Sequence, residues 1–308
     1  MQSHPLIVVA GPTASRKSEL AVGLATRLSG ELVCCDSIQL VHGFRIGAAG
    51  PTDEQLARVP HHLFGVMDPL DPTDAGKYTR LADQAISEIR ERGNLPIVVG
   101  GTGLYLRALT EGLVSIPRIA AAHRERLQKE LKSVGPEKLF ERLQELDGPL
   151  AARIEGGARN TQRVLRGLEV VEGTGVRLSD LHDGHRKQEP RYACEILMPW
   201  FDTHTLNERI ARRVEQMMTM GFLEEVRDLL RQGVPASCRP MQSLGYRELI
   251  RSLDGLCSLE QAVEDIKKGH RRYAKRQRTW FRNQANGIQL DGDAVDLVSQ
   301  ACARLVQK

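Results

Sequence analysis

Short apolar runs alternate with amphipathic segments along the first 116 residues, a pattern typical of a parallel sheet whose strands are connected by helices. The runs LIVVA (6–10), ELVCCD (31–36) and LPIVVGG (95–101) predict three buried strands. An amphipathic helix is expected after the first run, and another from about Asp74 to Arg92. The pattern therefore predicts an α/β core.

The segment from about Pro117 to Glu189 differs, because its apolar residues recur at helical spacing among many charges. CEILMPW (194–200) resumes the strand pattern, and from Thr205 the pattern is again helical, down to a disordered or weakly helical end. The predicted domains are a parallel-sheet core at 1–116 and 190–308, which ends in a basic helix, and an inserted helical domain at 117–189.

The length of 308 residues gives room for two domains or for one α/β domain with an insertion. No stretch of about 18 apolar residues occurs, and the start MQSHPLIVV lacks the basic, apolar and cleavage regions of a signal peptide. Six cysteines without C-x-x-C spacing predict buried free thiols and no disulfide framework. We therefore expect a soluble, cytoplasmic protein.

A phosphate-binding loop is predicted between the first strand and the first helix. The Walker A pattern directs successive backbone N–H groups at phosphate oxygens, while its lysine adds charge and its hydroxyl binds Mg²⁺. Gly11, Lys17 and Ser18 fit this pattern, whereas Arg16 occupies the position of the second glycine, which would allow positive φ. An ordinary strand-to-helix turn is the alternative, and the flanking strand and helix favour the phosphate-binding loop.

Two polar side chains are expected near this loop. Asp36 ends the second predicted strand and Thr102 follows the third, and ligands of open α/β sheets bind at the carboxyl ends of strands. Asp36 could accept a proton, position a metal or cap a turn. Thr102 could contact a ligand or serve as a helix N-cap. The run VVGGT lacks the acid that an NTPase usually carries there, which argues against ATP hydrolysis.

Positive charge is concentrated late in the chain, although the net charge is only +4. Between Lys267 and Arg282 there are eight Lys or Arg residues and no acid. Four of them share one helix face, which we call the basic stripe: Arg271, Lys275, Arg278 and Arg282. Nucleic acid is the natural partner of such a stripe, and a solvated face is the alternative. A second cationic set that could reach the phosphate site consists of Arg209, Arg212 and Arg213.

Seven motifs, in this order, resemble the tRNA dimethylallyltransferase family, the isopentenyl-diphosphate:tRNA transferases. They are GPTASRKS (11–18), DSIQ (36–39), PHHL (60–63), VVGGTGLYLRAL (98–109), NTQRVLRGLEV (160–170), QSLGYRELI (242–250) and RRYAKRQRTWFRNQ (271–284). The resemblance spans nearly the whole chain. It implies a P-loop-containing parallel sheet core with an inserted helical tRNA-binding domain. The implied reaction uses Mg²⁺ and transfers a dimethylallyl group from dimethylallyl diphosphate to N6 of the adenosine 3′-adjacent to the anticodon, position 37, giving N6-isopentenyladenosine.

The resemblance also implies roles for individual residues. Asp36 matches the general base and Thr102 a residue that contacts the target adenosine, and Ser18 is expected at the metal. The residues expected to bind the diphosphate are Gly11, Pro12, Thr13, Ala14, Ser15, Arg16, Lys17, Ser18 and Arg213. Those expected to contact tRNA are Asp36, Ser37, Ile38, Gln39, Thr102, Arg124, Gln162, Arg163, Val164, Leu165, Arg166, Gln242, Ser243, Leu244, Gly245, Tyr246, Arg247, Lys275, Arg276, Gln277, Arg278, Thr279, Trp280, Phe281 and Arg282. The expected partners are the anticodon stem-loop of tRNA and dimethylallyl diphosphate, with a monomeric protein and no membrane.

This chain departs from the family pattern at Arg16 and after DSIQ, where Val41-His42 and Ala48-Ala49-Gly50 replace Tyr-Arg and Thr-Ala-Lys. No Cys/His cluster of ligand spacing follows residue 240, so the resemblance is to the bacterial type. We expect Arg16 to distort the amide cradle more than its guanidinium compensates, because a misplaced cradle loses several donors at once. A glycine at that position should then improve donor binding or turnover.

Three other functions stay open from the sequence. A small-molecule P-loop kinase would use Asp36 to activate a hydroxyl, would bind ATP and would not need the basic stripe. A tRNA-binding relative with catalysis weakened by Arg16 would bind tRNA without turnover. An isopentenyltransferase of free nucleotides would accept AMP in place of tRNA.

The basic stripe predicts salt-dependent tRNA binding. Each neutralised phosphate contributes about −0.7 to −0.9 to the slope of log K against log salt. Replacing Lys275 and Arg278 by Ala should therefore flatten this slope by about one to two units, measured by fluorescence titration over a range of KCl concentrations. An unaltered slope would mean that the stripe is a solvated surface and that tRNA docks elsewhere.

Overall fold

The computed structural model describes residues 5–71, 73–186, 188–283 and 287–306. Its centre is a six-stranded, all-parallel sheet with the strand order β3-β2-β4-β1-β5-β6. The strands are β1 Leu6–Ala10, β2 Gly30–Cys34, β3 His61–His62, β4 Leu95–Gly100, β5 Cys194–Trp200 and β6 Gly287–Asp291. The prediction of an α/β fold with a parallel sheet is confirmed.

Thirteen helices are present in the described residues. They are α1 Lys17–Leu28, α2 Asp53–Arg58, α3 Ala75–Glu91, α4 Gly103–Thr110, α5 Ala121–Leu146, α6 Gly148–Ala152, α7 Thr161–Thr174, α8 Leu178–His185, α9 Thr203–Thr219, α10 Phe222–Arg231, α11 Tyr246–Leu253, α12 Leu259–Arg282 and α13 Leu297–Val306, with a single turn of 3-10 helix at Gly157–Arg159. The chain divides into two compact units, residues 1–111 with 191–308 and residues 112–190.

β1 has neighbours on both sides and is buried along its whole length. Its side chains alternate between two cores, because successive residues of a strand point to opposite faces of the sheet. Val8 belongs to the core that contains residues of α3 and α4, and Val9 to the core that contains residues of α1 and α13. Burial on both faces explains why this strand is a continuous apolar run.

The second unit, residues 112–190, has its own core. Leu143 of α5 and Leu168 of α7 are completely buried in it. Asp147 is also fully buried, and its two carboxylate oxygens accept hydrogen bonds from the N–H groups of Leu150 at 3.1 Å and Ser179 at 3.0 Å. This carboxylate joins the starts of α6 and α8. No strand occurs among the described residues of this unit, as the helical spacing predicted.

The carboxyl-terminal segment differs from the prediction of a disordered or weakly helical end. β6 pairs with β5 at the edge of the sheet, and α13 packs against α1 so closely that a Cβ on Gly23 would lie 2.4 Å from Val298. The prediction was wrong because the strand GIQLD is only partly buried and contains no apolar run. Its strand conformation depends on the neighbouring strand, which the local pattern does not reveal.

A further core joins α9, α10, α11 and α12 to the loop that follows β2. Phe222 and Tyr246 are completely buried there, with ring centroids 4.9 Å apart. Gly47 approaches this pair so closely that a Cβ would lie 2.0 Å from the Phe222 ring. Packing therefore holds the loop 38–50 against α10 and α11.

All six cysteines are free thiols, but only Cys34 and Cys35 are buried, so the prediction of buried thiols holds for these two. Burial raises the pKa of the Cys35 thiol to about 12. Among the described residues, no helix combines the length and apolar character needed to cross a membrane.

Candidate active site

Residues 11–18, which we call the 11–18 loop, connect β1 to the first turn of α1. Gly11 has a φ of 150°, and Ala14 and Arg16 have φ values of 63° and 66°. Each left-handed non-glycine residue is strained by roughly 1–2 kcal/mol, so other contacts must hold the loop in place. The first N–H groups of α1 have no partner within the helix, and such a helix start binds anions.

Side chains from two distant helices hold the 11–18 loop. Arg209 on α9 donates from Nε to the Ala14 carbonyl at 2.9 Å, and its guanidinium lies 4.6 Å from the ring centroid of Phe201. Gln277 on α12 accepts a hydrogen bond from the Thr13 N–H at 2.9 Å. These partners are 195 and 264 positions away in sequence. The shape of the loop thus depends on long-range contacts.

Arg16 uses its guanidinium for hydrogen bonds within the protein. Nη1 donates to the carbonyls of Gly292 and Ala294 at 2.8 and 2.9 Å, while Nε and Nη2 donate to the carboxylate of Glu19. Four of the five guanidinium N–H groups are thereby used. A role of Arg16 in binding the diphosphate stays a prediction, since the residue lines a cavity beside the loop. The expected distortion of the backbone is absent, because Arg16 adopts the left-handed conformation that a glycine would take.

Asp36 and Thr102 come together where β2 and β4 end. The Thr102 Oγ1 accepts a hydrogen bond from the Ser37 N–H at 3.1 Å, and the Thr102 N–H donates to the Cys35 carbonyl at 3.2 Å. A Cβ on Gly100 would lie 2.0 Å from the same carbonyl oxygen, so the two strand ends are in direct contact. The sheet therefore fixes the Asp36 turn against the Thr102 turn.

Asp36 keeps one carboxylate oxygen available. Its Oδ1 accepts hydrogen bonds from the N–H groups of Ile38 at 3.0 Å and Gln39 at 3.4 Å, whereas Oδ2 has no partner in the part of the chain that the structure describes. The turn-capping and proton-accepting interpretations are thus compatible. Thr102 is the N-cap residue of α4, as that alternative predicted, but its side chain makes no capping hydrogen bond. Its hydroxyl proton has no acceptor among the described residues.

Two cations and one carboxylate interact at this site. Burial, aided by the charge of Arg213, lowers the pKa of Lys17 to about 8 against the opposing effect of Asp36. Burial likewise lowers the pKa of Arg213, and Asp36 opposes this shift too. The Lys17 Nζ donates to the Pro12 carbonyl at 3.2 Å. An anion bound here would stabilise both charged forms.

Two cavities adjoin the 11–18 loop. The smaller, of about 20 Å³, is lined by Lys17, Ser18, Asp36 and Gln39 among others. The larger, of about 740 Å³, has a basic wall that contains Lys17, Arg209, Arg212 and Arg213. The residues that we call its apolar wall are Ile46, Ala49, Pro51, Met217 and Met220. Polar residues line the cavity as well, namely Arg45, Thr52, Asp53, Gln55 and Gln216. This arrangement suits a ligand with an anionic head and a short apolar tail.

The sequence analysis missed the residues that hold the apolar wall. Glu225 on α10 accepts hydrogen bonds from the N–H groups of residues 46 and 47 at 2.5 and 3.0 Å. The side-chain amide of Gln39, which was predicted to contact tRNA, donates to the carbonyls of residues 48 and 49 at 2.9 Å each. The contacts of Glu225 join segments nearly 180 positions apart, so no local pattern could have found them.

The four cations of the basic stripe lie on α12 in different surroundings. Arg278 donates to the Thr203 hydroxyl at 3.2 Å, and its guanidinium lies 5.0 Å from the centroid of the Trp200 ring. Arg282 is exposed and lies 5.9 Å from the same ring. Lys275 is exposed, and Arg271 is partly exposed. The stripe is thus accessible, with Arg278 and Arg282 positioned over an aromatic ring.

Several residues predicted to contact tRNA are buried, and the prediction is corrected for them. They are Val164, Gly245, Tyr246, Gln277 and Phe281. A macromolecule cannot reach these residues in this structure. The exposed residues of the same stretches are Gln162, Arg163, Gln242, Arg247, Lys275, Arg276, Thr279 and Arg282. The last residue of the seventh motif, Gln284, lies outside the described residues.

Two predicted tRNA contacts of the second unit share one acid. Arg124 and Arg166 lie 3.7 and 2.9 Å from the Glu169 carboxylate, which is only 11% exposed while both arginines are more open to solvent. Their guanidinium groups are therefore held side by side at the surface of this unit.

The chemistry of the site fits Mg²⁺. Among the described residues, no group of three or more His, Cys, Asp or Glu side chains is arranged to hold a metal ion. Mg²⁺ usually binds through one or two protein oxygen ligands together with substrate phosphates and waters. Ser18 is exposed and lies with Asp36 on the smaller cavity, so its hydroxyl is available beside a bound diphosphate.

Comparison with known proteins gives a consistent result. Residues 39–284 match the IPP transferase family. The chain is 47% identical over 276 residues to tRNA dimethylallyltransferase 1 of Pelobacter propionicus, covering 90% of this chain and 89% of that protein. It is 45% identical to the tRNA dimethylallyltransferase of Syntrophobacter fumaroxidans, covering 90% of this chain and 81% of that protein. The 11–18 loop and Asp36 precede the range matched to the family.

Solved structures agree in fold. The full-length tRNA isopentenylpyrophosphate transferase from Bacillus halodurans matches with a TM-score of 0.71 and 35% identity, covering 99% of this chain and 98% of that one. A eukaryotic dimethylallyltransferase described as acting on tRNA matches with a TM-score of 0.78 and 25% identity, covering 98% of this chain and 77% of that one.

The hydrogen bonds of Arg16 lead to a new prediction for a glycine at this position. Arg16→Gly should leave the affinity for inorganic diphosphate within about threefold, because a glycine keeps the left-handed conformation. It should loosen the segment after β6 and speed amide exchange there at least about tenfold, measured by mass spectrometry. Glu19→Gln, which retains the carbonyl contacts of Arg16, is the control and should have a smaller effect. A large loss of diphosphate affinity would show that Arg16 binds the anion.

The lowered pKa of Lys17 predicts pH-dependent anion binding. Bound diphosphate favours the charged amine, so above a pH of about 8 binding must first return a proton to Lys17. Affinity for inorganic diphosphate should then fall by up to about tenfold for each further pH unit, measured by calorimetry. Lys17→Arg is the matched control, because arginine stays charged and only the titration of diphosphate itself remains. Equal pH slopes for the two proteins would contradict this assignment.

Proposed function

This chain belongs to the IPP transferase family, and we propose that it transfers a dimethylallyl group from dimethylallyl diphosphate to N6 of the adenosine at position 37 of tRNA. The products are N6-isopentenyladenosine in the tRNA and free diphosphate. The homology to tRNA dimethylallyltransferases supports the reaction class. The larger cavity is the observation that carries the choice of donor, because it places basic and apolar side chains together at the 11–18 loop. Lys17 and Ser18 line both this cavity and the smaller one, which Asp36 also lines.

The donor divides between the two walls. Its diphosphate lies against the 11–18 loop, where Lys17, Arg213 and free backbone N–H groups supply positive charge. Its five-carbon group lies toward Ile46 and Met217 on the apolar wall.

The reaction breaks the bond between the allylic carbon and the diphosphate oxygen and forms a bond from that carbon to N6. Negative charge develops on the departing diphosphate, and the cations and amides of the 11–18 loop stabilise it. N6 loses a proton as the new bond forms, and the unpartnered Oδ2 of Asp36 is the acceptor at hand. The Thr102 hydroxyl, whose proton is uncommitted, can donate to a ring nitrogen and orient the base.

We propose Mg²⁺ as the cofactor, held by the Ser18 hydroxyl and the diphosphate oxygens. When bound, the ion neutralises part of the charge on the leaving group. This assignment agrees with the exposure of Ser18 and with the preference of Mg²⁺ for substrate phosphates over a protein cage.

The tRNA partner is proposed to bind through its anticodon stem-loop, with exposed cations of α12 at its phosphates. The target base must leave its stack, which costs roughly a few kcal/mol that phosphate contacts offset. We further propose that the enzyme acts as a monomer in the cytoplasm.

The kinase alternative gains no support, because β4 ends at Gly100 and is followed by Gly101 and Thr102, with no acid.

The decisive test incubates the protein with dimethylallyl diphosphate, Mg²⁺ and unmodified tRNA, followed by nucleoside mass analysis, with AMP as the alternative acceptor. We expect N6-isopentenyladenosine only in the tRNA reaction.

Asp36→Asn should retain donor and tRNA affinity and reduce turnover by at least about 10²-fold, because it removes the proton acceptor and keeps the turn-capping oxygen. Modified AMP would identify a free-nucleotide enzyme, and unchanged turnover of the variant would remove Asp36 from the role of base.

A further inference from the structure

Gln277 is a buried polar residue on a helix otherwise rich in exposed cations. Its side chain is 6% exposed, and both ends of its amide are used. Oε1 accepts a hydrogen bond from the Thr13 N–H at 2.9 Å, and Nε2 donates to the Gly101 carbonyl at 2.9 Å. A single side chain therefore bridges the 11–18 loop and the turn that carries Thr102.

The two segments joined by Gln277 lie on opposite sides of the proposed reaction. The 11–18 loop holds the donor diphosphate, and the turn after β4 presents Thr102 to the acceptor base. Space at the bridge is tight, since a Cβ on Gly101 would lie 2.6 Å from the Gln277 Nε2 and 3.7 Å from the Lys17 side chain. The bridge thus adjoins the lysine of the diphosphate site.

α12 is also fixed to the acceptor side at a second point. The Trp280 ring packs on the start of α4, where a Cβ on Gly103 would lie 2.6 Å from it. The exposed residues Lys275 and Arg276 lie one turn or less from Gln277 on the same helix. One helix therefore carries exposed cations, the amide bridge and an aromatic contact to the turn that carries Thr102.

We propose that Gln277 is a positioning residue that keeps the diphosphate-binding loop in register with the Thr102 turn. This role rests on the proposed function and differs from the tRNA contact that the family resemblance implies. Loss of the bridge lets the two loops move independently, and a displacement of about 1 Å between reacting groups costs up to about 10²-fold in rate. Binding of tRNA at exposed residues does not require the buried amide.

Two substitutions of similar volume test this role. Gln277→Met removes both hydrogen bonds, and Gln277→Glu retains the acceptor for Thr13 but places an oxygen against the Gly101 carbonyl. We expect kcat to fall by about 10-fold or more in both variants at saturating tRNA and donor. The dissociation constant for tRNA should stay within about twofold. The thermal midpoint should fall by a few degrees, because the Thr13 N–H and the Gly101 carbonyl lose their partner, so kcat is measured well below it. The matched controls are Gln261→Met and Gln261→Glu, since Gln261 is exposed on the same helix and its side-chain amide donates to Asp265.

The outcomes separate the alternatives. Unchanged kcat in either folded variant would overturn the proposal and leave Gln277 as a space-filling residue. Weakened tRNA binding with unchanged kcat would restore the role of tRNA contact. Failure of both variants to fold would make Gln277 purely structural. If the unmodified protein produces no isopentenyladenosine, the proposed function itself fails. If the unmodified protein is active and the Gln277 variants are equally active, only the role of Gln277 fails.

Discussion

The site depends on one constraint, the need to hold unpaired backbone N–H groups in a fixed arrangement at the start of α1. An anion can accept hydrogen bonds from several of them at once, but only if the loop keeps its shape before the anion arrives. Arg209 provides one contact, to the Ala14 carbonyl, and Gln277 provides another, to the Thr13 N–H. Helices from the second half of the chain are therefore as necessary to the loop as the strand that precedes it.

Charge at the site follows from the same arrangement. Lys17 and Arg213 are partly buried beside a single carboxylate, Asp36, and burial lowers the pKa of both cations. A diphosphate would restore the balance of charge, which explains why the cationic wall is built where water is partly excluded. Glu225 holds residues 46 and 47 of the apolar wall through their backbone N–H groups, so the cationic and the apolar residues of the cavity are supported separately.

Arg16 shows how a chain can lose a motif glycine and keep the motif conformation. Its backbone adopts the left-handed conformation, and the strain of roughly 1–2 kcal/mol is offset by hydrogen bonds to two carbonyls after β6. Arg16 thereby connects the start of α1 to the segment between β6 and α13. A side chain that looks like a defect in the motif acts as a structural contact.

The sequence by itself determined the parallel sheet, the helical character of 117–189, the 11–18 loop and the meeting of Asp36 with Thr102, because burial on both faces and strand polarity leave local patterns. It also pointed to the family, through the order of seven motifs. Only the tertiary structure decided that β6 completes the sheet, that Arg16 faces Gly292, and that Gln277 lies under the basic helix and bridges two loops. Those outcomes depend on partners far away in sequence, and a one-dimensional pattern records the polarity of a residue but not the atom it will meet.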